Sequence, residues 1–197
     1  MAEKPVLQII IGSTRPNRVC GAVAQWFIDR ARQDGQFDVQ VTDLRELDLP
    51  MMDEPNHPRL QDYQHEHTKA WSKTIEASDA IVYVMPEYNF TFTAPVKNSL
   101  DYLFNEWANK AFGMVNYGGV SGGLRAAQAL KPVASALQMV TMPDFVTVPM
   151  VAQHIEDGKL NPTDIMNDSA DALLNHMASL TVDLMARRKR LAEEADQ

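Results

Sequence analysis

The stretch G-S-T-R-P-N-R, residues 12–18, sets two hydroxyls and two arginines directly behind an apolar run, Val6 to Ile11. Ser13 and Thr14 supply the hydroxyls, Arg15 and Arg18 the cations, and a helix starting next adds free backbone amides. A phosphate monoester takes that combination, because helix amides and guanidinium forks both favour a dianion. A plain turn with solvated arginines is the alternative. The segment has neither the lysine and spacing of a P-loop nor G-x-G-x-x-G. A phosphatase loop is disfavoured because Cys20 follows both arginines instead of opening the loop. A receiver domain needs acidic residues where Ile11 and Gly12 stand.

Two further stretches carry chemistry. Pro86, Glu87, Tyr88 and Asn89 follow the most β-branched apolar run of the chain. Backbone there can bond the edge of a flat heteroaromatic ring, while Tyr88 supplies an apolar face and Asn89 an amide. Taken alone, an ordinary strand-to-helix turn explains them equally, with Pro95 at the first helical position. Gly118, Gly119, Gly122 and Gly123 surround Ser121. Such glycines mark close backbone approach or positive φ, and a flexible turn is the bland reading.

The elements that must position these loops follow from periodicity. Val6–Ile11, Ala80–Met85 and Phe112–Tyr117 read as buried strands, Phe37, Val39 and Val41 as a half-covered edge strand, and Phe145, Val146 and Val148 as a fifth. Helices are expected over Val19–Arg32, His65–Ala77, Val96–Asn109, Gly122–Leu137 and Asp164 to about Leu191. Strand and helix alternate five times, and right-handed crossovers make that a doubly wound α/β domain with a parallel sheet covered on both faces. The strand order 2-1-3-4-5 is taken by analogy; it gathers all three loops at the carboxyl edge, where ligands bind.

At 197 residues, with no repeat or long linker, the chain is expected to form one domain over 1–197. Its net charge of −8 disfavours nucleic acid and anionic membrane as partners. A single cysteine excludes an internal disulfide. The opening MAEKPVLQIII has an early acidic residue and too short an apolar run for a signal peptide, so a cytoplasmic setting is expected.

With these residues in view, the chain resembles the NADPH-dependent FMN reductase family of flavodoxin-like proteins, from Val6 to about Val148. GSTRPNR looks like its phosphate loop, PEYNFTFTAPVKNSLDYL like its central signature, and SGGLRAAQAL like its second flavin loop. The resemblance implies that Ser13, Arg15 and Arg18 hold the phosphate of flavin mononucleotide (FMN), with Asn17, Val19 and Cys20 lining that end. It implies that Pro86, Glu87, Tyr88 and Asn89 contact the ribityl chain and the ring, and that Ser121, Gly122 and Gly123 flank the ring opposite. Two departures stand out: many members have serine at Arg18, and a glycine near Phe90 or Thr91.

The activity implied is hydride transfer from NADPH or NADH to FMN, then delivery of two electrons to a quinone, flavin, azo or metal-oxyanion acceptor. No side chain is assigned as a catalytic nucleophile or base, because the cofactor carries the chemistry. The alternatives are an FMN-binding electron carrier or redox sensor without nicotinamide turnover, and a regulatory protein with a repurposed crevice. The arginine-based phosphate loop, unlike the hydroxyl-rich loop of flavodoxins, favours the enzyme. The resemblance also implies a homodimer or homotetramer.

Other residues draw the eye. His65 and His67, two apart on a helix, point apart, and no metal site is expected. Cys20 at a helix start is either a thiol of lowered pKa or simply packed. Tyr102, Phe104 and Trp107 span too wide an arc for one buried helical stripe, which predicts that the surplus lies at an interface.

Overall fold

The computed structural model describes residues 4–195; residues 1–3 and 196–197, the ends of the domain expected over 1–197, lie outside the described residues. Strand β1 (Val6–Ile11) leads through the first loop into α1 (Cys20–Asp34), then β2 (Asp38–Asp43) and the single turn α2 (Leu44–Leu47). An irregular proline-containing stretch reaches α3 (Glu66–Glu76), β3 (Ala80–Pro86), α4 (Ala94–Asp101), β4 (Ala111–Tyr117) and α5 (Leu124–Ala136). The short strands β5 (Val140–Thr141), β6 (Val146–Val148), β7 (Ile155–Glu156) and β8 (Lys159–Leu160) precede the long α6 (Asp164–Ala195).

The main sheet has the order β2-β1-β3-β4-β5, with β6 also on β4, and every pairing in it is parallel. This is the flavodoxin-like order expected from the sequence. β3 and β4 are buried at every position, as strands covered on both faces must be. Alternate side chains serve opposite layers. Leu7, Ile9, Val82, Val84 and Val115 pack under α1 and α6, whereas Ile10, Ile81, Tyr83, Met85 and Met114 pack under α3, α4 and α5.

Two expectations are corrected. The fifth strand is split: β5 pairs with Ala111–Phe112 and β6 with Val115–Tyr117. Pro143, between the halves, has no amide to give a ladder. The helix expected over Val96–Asn109 stops at Asp101, and Asn105–Trp107 forms a separate 3-10 turn. The chain direction therefore changes within the aromatic run. Tyr102 and Trp107 are both fully buried, and Phe104 packs on the same core with the Arg59 guanidinium 4.2 Å from its ring centroid. No surplus of aromatics is left for an interface there.

Outside the crevice, the two histidines come together instead of pointing apart. His65 sits at the cap position before α3, so its ring folds back and stacks on His67 at 5.2 Å. Both rings hold Asp53, His67 through its carboxylate at 3.0 Å and His65 through its carbonyl at 3.2 Å.

Candidate functional site

The loops after β1, β3 and β4 meet at the carboxyl edge of the sheet, beside the point where strand order reverses. Gly12 N donates to Val84 O at 2.8 Å, and Thr93 Oγ1 donates to Gly12 O at 2.6 Å, so the first two loops share a base. A side chain at Gly12 has no room, since its Cβ would fall 2.6 Å from Val96 Cγ2.

In the first loop, Ser13 is buried, Thr14 half-buried, and Arg15, Pro16 and Asn17 exposed. Arg15 makes no ion pair among the described residues, and the amides of Thr14, Arg15 and Asn17 donate to no protein acceptor among them. Val19 stands at the cap of α1, where serine, threonine or aspartate usually satisfies the first amides, and it gives no side-chain bond. Ala22 N is spent on Val19 O at 3.1 Å, but the amides of Val19, Cys20 and Gly21 donate to no protein acceptor among the described residues, which leaves them and the positive dipole end for something else.

Arg18 behaves differently from Arg15. Its guanidinium grips the Asp43 carboxylate with both terminal nitrogens, one bond at 2.7 Å, and also donates to Ser13 O. Both side chains are mostly buried, at 14% and 11% exposure. The hydrogen bond to Asp43 raises the Arg18 pKa, so this cation is permanent and already committed. Cys20 is packed: its Sγ donates to Val84 O at 3.3 Å, and burial pushes the thiol up to about 11. The thiolate is thus disfavoured, which resolves the two readings of this cysteine. Tyr117 lies alongside, its hydroxyl also pushed upward by burial.

At the other end, Glu87 joins the second loop to the third. Its carboxylate accepts from Ser121 Oγ at 2.8 Å, from Arg125 N at 3.0 Å and from Arg125 Nη1 at 2.9 Å. Burial alone would raise this carboxyl, but the hydrogen bonds from Arg125 and Ser121 prevail and hold it below the ordinary carboxylate value. Pro86 ends β3 in the core, while Tyr88 and Asn89 are exposed. Gly122 and Gly123 adopt φ of 62° and 89°, and a Cβ on Gly123 would lie 2.5 Å from Asn116 Cβ. Their close approach is to the ends of β4 and β6, which fixes the loop as a rigid wall.

Residues 88–91 form a two-residue hairpin, with Tyr88 N donating to Thr91 O at 2.8 Å and Thr91 N to Tyr88 O at 3.0 Å. Its central residues Asn89 and Phe90 have φ of 48° and 73°. Asparagine tolerates that region, but phenylalanine there costs about 1–2 kcal/mol relative to glycine. The departure at Phe90 thus leaves the turn intact and loads it with strain. The Arg125 guanidinium lies 4.1 Å from the Phe90 ring centroid.

The sequence pattern does not single out Asp43 or Arg125, and it marks Phe90 only as a departure from the family's glycine. Arg125 carried a signal, since a cation in the first turn of a helix opposes the macrodipole and implies a carboxylate partner. Asp43 carried only a capping signal, its bond to Arg45 N at 2.9 Å. A separate groove of about 550 Å³ between α1 and the β7–β8 hairpin lies away from these loops. Its main donors are spent, Trp26 Nε1 on Asn167 and Arg30 on Asp171.

The chemistry of the crevice fits FMN: an uncapped helix start with unspent amides and a free arginine at one end, and an exposed tyrosine and rigid loop walls at the other. The chain is 38% identical over 160 residues to an NAD(P)H-dependent FMN reductase of Schizosaccharomyces pombe, covering 80% of each protein. It is 27% identical over 156 residues to an NAD(P)H:quinone oxidoreductase of Solanum tuberosum, covering 74% of this chain and 77% of that one. In fold it matches the flavoenzyme NAD(P)H:(acceptor) oxidoreductase FerB of Paracoccus denitrificans, with a TM-score of 0.66 and 20% identity over 92% of this chain and 98% of the other. The family model described as NADPH-dependent FMN reductase matches residues 6–153, and the chain belongs to that family.

Proposed function

We propose that the protein is an FMN-dependent NAD(P)H oxidoreductase that passes two electrons from NADPH or NADH to a small acceptor of the quinone, flavin, azo or metal-oxyanion class. The observation that carries the reading is the unspent Arg15 beside an uncapped α1, in a chain of the FMN reductase family. FMN, when bound, supplies the redox chemistry between the nicotinamide and the acceptor.

The chain's own residues bind and orient. Arg15, with the amides of Thr14 and Asn17 and those opening α1 at Val19 and Cys20, holds the phosphate. Ser13 and Arg18 shape that loop from beneath, Arg18 through Asp43. Tyr88 and Asn89 lie along the ring, with Pro86 and Glu87 behind them. Ser121, Gly122 and Gly123 form the facing wall, set by the Glu87 cross-link. No residue is required to act as a nucleophile or base.

The same proposal takes residues 1–197 as one domain, working in the cytoplasm as a homodimer or homotetramer. Val120 and Met150 are exposed and adjacent, since Met150 N donates to Gly119 O at 2.8 Å, and they offer an apolar surface to a second copy. No helix among the described residues is long and apolar enough to cross a membrane. The test is to load the protein with FMN, remove the excess, and mix anaerobically with NADPH or, separately, NADH. Rapid bleaching of the flavin is expected; bound flavin that stays oxidised with both donors contradicts the reading and favours a carrier or sensor.

A further inference from the structure

We propose that Phe90 is a specificity-determining residue of this crevice: its ring is the surface on which a flat, uncharged conjugated acceptor of the quinone class stacks. The inference rests on the FMN oxidoreductase reading and names the acceptor chemistry that this site prefers.

Phe90 is a residue in the wrong place for its type. Position 90 is the second central residue of a two-residue hairpin at φ 73°, where glycine or asparagine sits at least strain. The chain keeps a phenyl group there, and buries little of it: Phe90 is 69% exposed. The ring therefore contributes little to the core, and the turn's own hydrogen bonds do not need it. What the structure does supply is support. Arg125 lies 4.1 Å from the ring centroid and is itself fixed by Glu87 at 2.9 Å, a carboxylate only 8% exposed. An exposed aromatic ring braced in this way is a preformed platform.

Charge selects its occupant. The guanidinium on the ring is already neutralised by Glu87, so it offers no unspent cation to the pyrophosphate of a dinucleotide. Tyr88 in the same turn and Leu124 beside Arg125 are exposed and apolar. Arg15, which makes no ion pair among the described residues, lies at the other end, in the first loop. A neutral, planar ring system matches this surface, because offset stacking on phenyl adds to the area it removes from water.

The experiment measures binding without turnover. Menadione is titrated by calorimetry into the oxidised, FMN-loaded protein with no nicotinamide present, for wild type, Phe90→Gly and Phe90→Trp. Phe90→Gly is expected to weaken menadione binding by about two- to tenfold, and Phe90→Trp to retain it within about twofold. The ratio of kcat/KM for menadione to that for ferricyanide, which has no flat conjugated ring, falls in Phe90→Gly by the same factor. Glycine suits the left-handed turn, so a urea midpoint of the apoprotein no lower than wild type assigns the loss to the ring and not to unfolding. Unchanged menadione binding in an FMN-loaded Phe90→Gly overturns this inference alone. A wild-type protein that takes up no FMN overturns the functional reading and this inference with it.

Discussion

At one end of the crevice Arg15 stands exposed with no ion pair among the described residues, while at the other Arg125 is bound to Glu87 and lies on Phe90. The two residues are of one type and do opposite work. A guanidinium whose charge is unspent is available to an incoming dianion, whereas one already paired builds the wall of the site. Arg18 shows that position in the loop does not decide which. It is three residues from Arg15, yet its bidentate grip on Asp43 places it with Arg125. On the proposed reading, the phosphate end recognises by free charge and the ring end by fixed shape.

The rigid wall carries the largest expected effect. Gly123→Ala puts a Cβ 2.5 Å from Asn116 Cβ at a φ of 89°, and a loss of about 3 kcal/mol in urea-measured stability is expected. Wild-type stability in that variant would show that the third loop is not fixed as described. Arg18→Ala comes next. It leaves the mostly buried Asp43 carboxylate unpaired, and the expected cost is about 2 kcal/mol of stability. If Arg18 were a free phosphate ligand instead, stability would hold and only FMN affinity would fall.

Glu87→Gln tests the ring end. Losing the charge that binds Ser121 and Arg125 is expected to cost about 1 kcal/mol at neutral pH. Because the folded Glu87 pKa lies below its unfolded value of 4.5, its contribution is present above that value and is lost as pH falls through the folded pKa. The gap between wild type and Glu87→Gln should therefore close in acid; a gap that is constant down the acid range would remove the charge from the account.

A last test lies outside the crevice, at Lys110. Burial pushes this amine down to about 7 from 10.5, while its Nζ caps the end of α3 at Ile75 O. Between those two values the unfolded chain binds more protons than the fold, so this group makes stability rise with pH across that window. Lys110→Met should flatten the rise in urea midpoint. An identical slope in both proteins would contradict the shift.

The buried strands and the three loops were legible in the sequence because buried strands announce themselves as apolar runs and ligand loops as breaks in them, whereas the strand order came by analogy. β3, buried at every position, is the clearest case. What could not be read depends on partners distant in sequence. Arg18 and Asp43 are 25 residues apart, and Arg125 and Glu87 are 38 apart. No local pattern tells a spent arginine from a free one. The end of α4 was missed for another reason: nothing between Asp101 and Asn109 is a glycine or proline, and the chain leaves the helix so that Tyr102 and Trp107 both reach the core. His65 was misjudged because it sits just outside its helix, where side-chain spacing rules for helices no longer apply.

The most direct test of free charge at one end and fixed shape at the other is to measure FMN and riboflavin dissociation constants for wild type and Arg15→Ala. Riboflavin lacks only the phosphate. Arg15→Ala is expected to weaken FMN by about ten- to hundredfold and to leave riboflavin affinity unchanged. Equal weakening of both ligands, or none of either, would contradict the assignment of Arg15 to the phosphate.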